Sequence, residues 1–83
     1  MQAAALDRAL LQAHAVGDPV ALARLYTLAG DLAEARGDID AACFYLTHAF
    51  VFALQAGSAD SGTLNHRLWQ HGREEPCLQE HMT

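Results

Sequence analysis

Three glycines recur at a constant interval of 20 residues, at Gly17, Gly37 and Gly57. Two of them are followed by an aspartate, Asp18 and Asp38. Glycine readily adopts the left-handed backbone conformation that ends many helices, and aspartate is favoured at the start of the next helix. Alanine recurs in the same register, at Ala13, Ala33 and Ala53. The interval therefore predicts one helix and one tight turn, repeated along the chain, with successive helices antiparallel.

The spacing of the apolar residues predicts an all-α fold of antiparallel helical hairpins. Four helices are expected, at about residues 3–16, 19–36, 39–56 and 63–71. Between the first and second helices, Gly17, Asp18 and Pro19 combine a terminal glycine, a capping aspartate and a proline at the first helical position. Residues 1–75 are expected to form one domain, and residues 76–83 are expected to be a frayed tail.

The fourth helix is expected to close one end of the fold. Asp60 or Ser61 is the expected cap of this helix. Leu64, Leu68 and Trp69 are expected to face inward, and its remaining positions are polar. A polar outer side is what a terminal, capping helix needs.

The net charge argues against two classes of partner. Ten acidic residues stand against five arginines and no lysine, so the formal net charge is −5. The arginines are scattered, whereas nucleic acids and anionic membranes are bound by clustered basic residues. We therefore expect neither a nucleic-acid partner nor a membrane partner.

The first residues lack the basic stretch and long apolar segment of a secretory signal, so we expect a cytoplasmic protein. Abundant alanine without lysine favours a bacterial source with a GC-rich genome. In the cytoplasm, Cys43 and Cys77 are expected to be free thiols.

The third predicted helix is apolar on nearly every face. Between residues 41 and 56 the clearly polar residues are Thr47, His48 and Gln55. Such a helix is either buried on several sides or inserted in a membrane. The stretch is shorter than the roughly 20 apolar residues that span a bilayer, and Thr47 and His48 interrupt its middle. We expect burial, on more sides than the other helices of one small chain can cover.

A pattern of small and large apolar residues extends over residues 23–56. It comprises Tyr26, Ala29, Gly30 and Ala33 on the second helix, Gly37 and Asp38 in the turn, and Ala42, Leu46 and Ala49 on the third helix. The pattern resembles the tetratricopeptide repeat, a helix–turn–helix unit of 34 residues. The resemblance implies close helix contact at Gly30 and Ala49, with the two helices crossing at Ala42. A four-helix bundle is the alternative architecture.

The resemblance also implies a binding surface. In this family the exposed face of the first helix of a unit lines a concave groove that holds peptide ligands. The corresponding polar stripe here comprises Arg24, Thr27, Asp31 and Glu34. The alternative is an ordinary solvated helix face.

A second candidate surface lies on the third helix. In the geometry of the family, Phe44, Tyr45 and Val51 fall on the outer side of that helix. His48, in the middle of the same apolar helix, is expected to be a core or interface residue. Apolar surface that faces outward usually marks an interface. These four residues are therefore the expected oligomer interface, and a homodimer is the expected assembly. The alternative is that the longer helices turn them into the core.

No pattern of catalytic or cofactor-binding residues is present. His66, His71, Cys77 and His81 are the candidates for a metal site, but solvated surface side chains are the better interpretation. Cys43 and His48 are five residues apart on one helix, which points them in different directions, so no nucleophile–base pair is expected. We expect neither enzyme activity, nor a cofactor, nor a bound metal.

These patterns together favour a protein–protein interaction module of tetratricopeptide-like hairpins that binds a protein or peptide. A small ligand- or metal-binding helical bundle is the alternative.

Overall fold

Four α-helices make up the part of the chain that the computed structural model describes, residues 3–72. They are α1 (Ala3–Val16), α2 (Pro19–Ala35), α3 (Ile39–Ala56) and α4 (Asp60–Gln70). No strand occurs within residues 3–72, so the all-α prediction is confirmed. The predicted bounds of the first three helices agree with the structure to within one residue. The expectations for the tail at 76–83, including Cys77 and His81, lie outside the described residues.

The three repeated glycines end their helices with the same geometry. Gly17, Gly37 and Gly57 have positive φ angles of 67°, 79° and 67°. The residue after each glycine donates its backbone N–H to an alanine carbonyl five residues earlier. The acceptors are Ala13, Ala33 and Ala53, at 3.1, 2.9 and 2.9 Å. This is the Schellman arrangement, and all three alanines are buried, which explains why glycine and alanine recur together.

Both capping aspartates begin a helix as the sequence predicts. Asp18 Oδ1 accepts the backbone N–H of Ala21 at 3.1 Å, and Asp38 Oδ1 accepts that of Ala41 at the same distance. Each carboxylate satisfies one of the amides that have no partner inside the helix. The turns and the helix starts are therefore local consequences of the sequence.

The start of α4 differs from the prediction. The helix begins at Asp60, after Ala59, and no side chain caps it. Instead, Ser58 Oγ accepts the backbone N–H of Asp60 at 3.0 Å, which lets the helix begin three residues earlier than expected. The prediction for Trp69 was also wrong, because this side chain is 44% exposed. Asn65 takes a buried position on α4 in its place.

The core lies around α3. Helices α2 and α4 both pack against α3, and α1 packs against α2. Because α2 and α4 each run antiparallel to α3, they lie parallel to each other. The main cluster of buried residues comprises Cys43, Leu46, Ala49, Ala53, Leu64 and Leu68. Small residues on α3 thus let its neighbours approach closely.

Helices α2 and α3 cross closely at Gly30. A Cβ atom at this position would lie 2.7 Å from Leu46 Cδ2 and 3.5 Å from the Ala42 carbonyl oxygen. Leu46 and Ala42 are fully buried, and so is Ala49 one turn further along α3. The expected close contact at Gly30 is therefore present.

Candidate functional site

The polar stripe of α2 faces the gap between α2 and α4. From the N-terminal to the C-terminal end of α2 its residues are Arg24, Thr27, Asp31 and Glu34. The first two line an open groove, and the last two are paired with side chains of α4. The stripe thus divides into an open half and a closed half.

Ion pairs close the half of the gap that contains Asp31 and Glu34. Arg67 Nη2 donates to Asp31 Oδ1 at 2.6 Å and to Glu34 Oε1 at 2.8 Å. The second oxygen of Glu34 accepts a hydrogen bond from His71 Nε2 at 2.6 Å. We call these four residues the α2–α4 clamp. Since a carboxylate only accepts, Nε2 of His71 carries the hydrogen in this contact.

The clamp changes the acidity of one of its members. The hydrogen bond from His71 lowers the pKa of Glu34 below its ordinary value of 4.5. Partial burial opposes this effect, while hydrogen bonding and charge from Arg67 add to it. Glu34 is therefore held as a carboxylate, which keeps both hydrogen bonds in place.

The sequence did not reveal the clamp. Its three pairs join residues 33, 36 and 37 positions apart, on helices that are not consecutive. The available signal was the matching spacing, with two acids three residues apart on α2 and two basic residues four apart at the C-terminal end of α4. That spacing predicts the ion pairs only if α2 and α4 are already known to lie parallel and side by side.

An open groove occupies the other half of the gap. It has a volume of about 300 Å³ and lies between the N-terminal halves of α2 and α4. Its lining comprises Val20, Ala23, Arg24, Thr27, Ala56, Ser58, Asp60 and Leu64. The lining thus combines apolar atoms of valine, alanine and leucine with one cation, one carboxylate and two hydroxyl groups.

Two residues of the predicted stripe contribute to this groove in different ways. Thr27 Oγ1 donates to the Ala23 carbonyl at 2.7 Å, so its hydroxyl is already satisfied on its own helix. Arg24 is exposed and makes no ion pair with any residue of the described part of the chain. Asp60 lies on the opposite, α4 side of the same groove. The guanidinium of Arg24 is therefore available to an acidic group from outside.

The four residues of the predicted oligomer interface all lie on α3, but they are not equally exposed. Phe44 and Val51 are exposed, whereas Tyr45 and His48 are half-buried. The ring of Phe44 contacts those of Tyr45 and His48, with centroids 5.5 and 4.5 Å away. Their role in assembly stays a prediction.

An aromatic cluster that the sequence did not predict joins α1, α2 and α3. The rings of Tyr26 and Phe52 stack with centroids 5.8 Å apart and planes within 8°. His14 of α1 meets both rings edge-on, and its Nε2 lies 2.9 Å from the Tyr26 hydroxyl oxygen. The cluster therefore attaches the C-terminal end of α1 to the rest of the fold.

The described residues hold no group of three or more His, Cys, Asp or Glu side chains placed to bind a metal. His71 belongs to the clamp, and the ring of His66 lies beside that of Trp69, 5.4 Å away. Cys43 is a free, buried thiol. The other two members of the candidate metal set, Cys77 and His81, lie outside the described residues.

By length and composition alone, helix α3 is long and apolar enough to cross a membrane. It has 18 residues and a mean hydropathy of 1.3, and 28% of it is buried within the fold. Membrane spans and the core helices of soluble proteins both reach this length and hydropathy.

Comparison with protein families, with curated proteins and with solved structures found no match to this chain.

Proposed function

We propose that this chain is a protein–protein interaction module, a scaffold of tetratricopeptide-like hairpins that holds a segment of a partner protein between α2 and α4. The observation that carries the proposal is the groove beside Arg24. This arginine is exposed and unpaired within residues 3–72, while the two acids of the same stripe are engaged by α4. The resemblance of residues 23–56 to a peptide-binding family supports the same surface.

The lining of the groove indicates the chemistry of the bound segment. Val20, Ala23 and Leu64 offer an apolar seat, and a volume of about 300 Å³ accommodates one or two side chains. Arg24 would pair with a carboxylate of the partner, since an exposed guanidinium binds carboxylates with two parallel hydrogen bonds. The expected ligand is therefore a short acidic segment with a small apolar side chain next to the acid.

The clamp supports binding without touching the ligand. Arg67 and His71 tie the C-terminal half of α4 to Asp31 and Glu34 of α2. Because these contacts fix the distance between the two walls of the groove, the protein loses less conformational entropy when a ligand binds than it would with mobile walls. We therefore assign Asp31 and Glu34 a positioning role, and we place direct contact at Arg24 and Thr27.

We propose a cytoplasmic, bacterial protein without enzyme activity and without a nucleic-acid or membrane partner; the net charge of −5 and the scattered arginines support the last point. The alternative is a small ligand- or metal-binding helical bundle; residues 3–72 hold no group of three or more His, Cys, Asp or Glu side chains placed to bind a metal.

Capture of the partner from a lysate of the source cells tests the proposal. The immobilised chain should retain a partner that Arg24→Glu loses, because the reversed charge repels the acidic segment. Arg8→Glu is the matched control, since Arg8 is an exposed arginine on α1, away from the groove. Retention by Arg24→Glu, or equal loss by both variants, would refute binding at this groove.

A further inference from the structure

Helix α3 presents an apolar stripe on the side that faces away from α2 and α4. Phe44, Val51 and Leu54 are 58%, 43% and 55% exposed. With Asp40 and Thr47, which are also exposed, they follow one another at spacings of four, three, four and three residues. We call these five residues the outer stripe. The buried residues on the opposite side of the helix include Ala42, Leu46, Ala49 and Ala53.

The polar side chains in the middle of α3 are already hydrogen-bonded within the helix. Thr47 Oγ1 donates to the Cys43 carbonyl at 2.8 Å. His48 Nδ1 lies 2.9 Å from the carbonyl oxygen of Phe44, which can only accept, so Nδ1 is the donor. Burial is costly for polar groups that lose their partners, and these two groups would keep theirs. A partner can therefore cover the middle of the outer stripe without breaking these two hydrogen bonds, so the desolvation cost is low.

The low charge of the outer stripe favours a second copy of the chain as its binding partner. Asp40 is the only Asp, Glu, Lys or Arg in α3, although the chain as a whole has a net charge of −5. Two copies of so acidic a chain repel each other unless they meet through a face that carries little charge. The outer stripe is such a face, and it offers no set of charges for a strongly basic or acidic partner.

We propose that the outer stripe binds a second copy of this chain, with the two α3 helices antiparallel across a two-fold axis. In this arrangement Phe44 packs against Val51 of the partner subunit, and the reciprocal contact forms on the other side of the axis. The two Asp40 side chains lie at opposite ends of the pair. A parallel arrangement would instead place them side by side, where like charges repel.

The expected dimer is small and of moderate affinity. Helix α3 has 18 residues, so the shared seam is at most about 27 Å long. Stable interfaces bury roughly 800 Å² per partner, and a single helix seam falls at the low end of that range. The dimer is therefore expected at micromolar concentrations. It leaves the groove open and does not depend on the function proposed for that groove.

Sedimentation equilibrium of the full chain at tens of micromolar tests the pairing. The wild-type chain should sediment at about twice its mass of 9.0 kDa. Combining Phe44→Glu with Val51→Glu should raise the dissociation constant by at least about 30-fold, because four buried carboxylates would face one another. Combining Leu11→Glu with Val16→Glu is the matched control, since both residues are exposed apolar side chains on α1.

A second pair of substitutions tests the antiparallel register. When Phe44→Glu is combined with Val51→Lys, each glutamate faces a lysine of the partner subunit in the proposed pairing. This variant should dimerise at least about 10-fold more tightly than the variant with two glutamates. In a parallel pairing, like charges would meet at both positions and no recovery would occur. Residues seven apart on one helix are too distant to pair with each other.

Each contrary result overturns part of the proposal. A wild-type monomer, or a dimer that survives Phe44→Glu with Val51→Glu while circular dichroism shows intact helices, would exclude the second copy. Equal dissociation constants for the Glu/Glu and Glu/Lys variants would exclude the antiparallel register. Flotation of the wild-type chain with phosphatidylcholine vesicles, abolished by the two glutamates, would assign the stripe to a lipid bilayer instead.

Discussion

Gly30 of α2 leaves no space for a side chain against Leu46 of α3. A Cβ atom built at Gly30 would lie 2.7 Å from Leu46 Cδ2 and 2.8 Å from Leu46 Cγ. Leu46 is fully buried in the main core cluster, so it has little freedom to move away. The contact sets how closely α2 approaches α3.

We expect Gly30→Ala to lower the free energy of unfolding by about 1–3 kcal/mol, because overpacking outweighs the gain in helix propensity. Gly62 provides the control. It lies within α4, and an added Cβ there would meet nothing within 4 Å. Gly62→Ala should therefore leave stability unchanged or raise it by up to about 1 kcal/mol. Urea denaturation measures both, and equal effects of the two substitutions would contradict the close crossing.

Removing the cation of the α2–α4 clamp should destabilise the fold modestly. Arg67→Met leaves Asp31 and Glu34 without their shared partner. Because the pairs are partly exposed, we expect a loss of about 1 kcal/mol, smaller at high salt. Chemical denaturation measures the loss, with Arg8→Met as the control at an exposed arginine that makes no ion pair within residues 3–72. Equal losses for the two variants would show that the ion pairs of Arg67 contribute nothing to stability.

The clamp should also make stability depend on pH. The pKa of Glu34 is lower in the folded chain than its ordinary value of 4.5. The folded state therefore binds fewer protons, and the stabilisation is complete above that value and is lost as the pH falls through the folded pKa. Below about pH 5, Glu34→Gln should therefore have a flatter stability profile than the wild type. An exposed carboxylate on α1 gives the control variant, Asp7→Asn, which should keep the wild-type slope.

The aromatic cluster should control how firmly α1 is attached. Phe52→Ala removes the ring that stacks on Tyr26 and meets His14, so we expect a loss of about 2 kcal/mol. Tyr26→Phe removes only the hydrogen bond to His14, at an expected cost of about 0.5 kcal/mol. Hydrogen exchange should show faster opening of α1 in Phe52→Ala. If α4 opens first instead, the cluster does not hold α1.

The parts of the fold that the sequence predicted depend on local interactions. The turns at Gly17 and Gly37 follow from the left-handed preference of glycine and the capping of the next helix by aspartate. The early start of α4 was missed because it depends on the hydroxyl of Ser58, whose hydrogen bond replaces a conventional cap. The sequence alone does not show that the hydroxyl of Ser58 accepts the backbone N–H of Asp60 and so sets the start of α4.

The candidate site was predicted only in part because half of it depends on tertiary contacts. The sequence placed Arg24 and Glu34 on one face of α2, but it did not show which of them α4 would reach. The structure pairs Glu34 with Arg67 and leaves Arg24 in the open groove. A charge reversal at Glu34 would therefore disturb folding as well as the proposed binding, so Arg24 is the more informative position.

Site-specific photo-crosslinking tests the central claim, binding of a partner segment in the groove, most directly. A photoreactive amino acid replaces Val20, which lines the groove and is 52% exposed. In the control it replaces Leu11, which lies on α1 and is 70% exposed. Irradiation in the source cells should join the chain to a partner protein from position 20 and not from position 11. Adding Arg24→Glu should remove that product. Cross-links of equal yield from both positions, or none from position 20, would contradict the groove as the binding site.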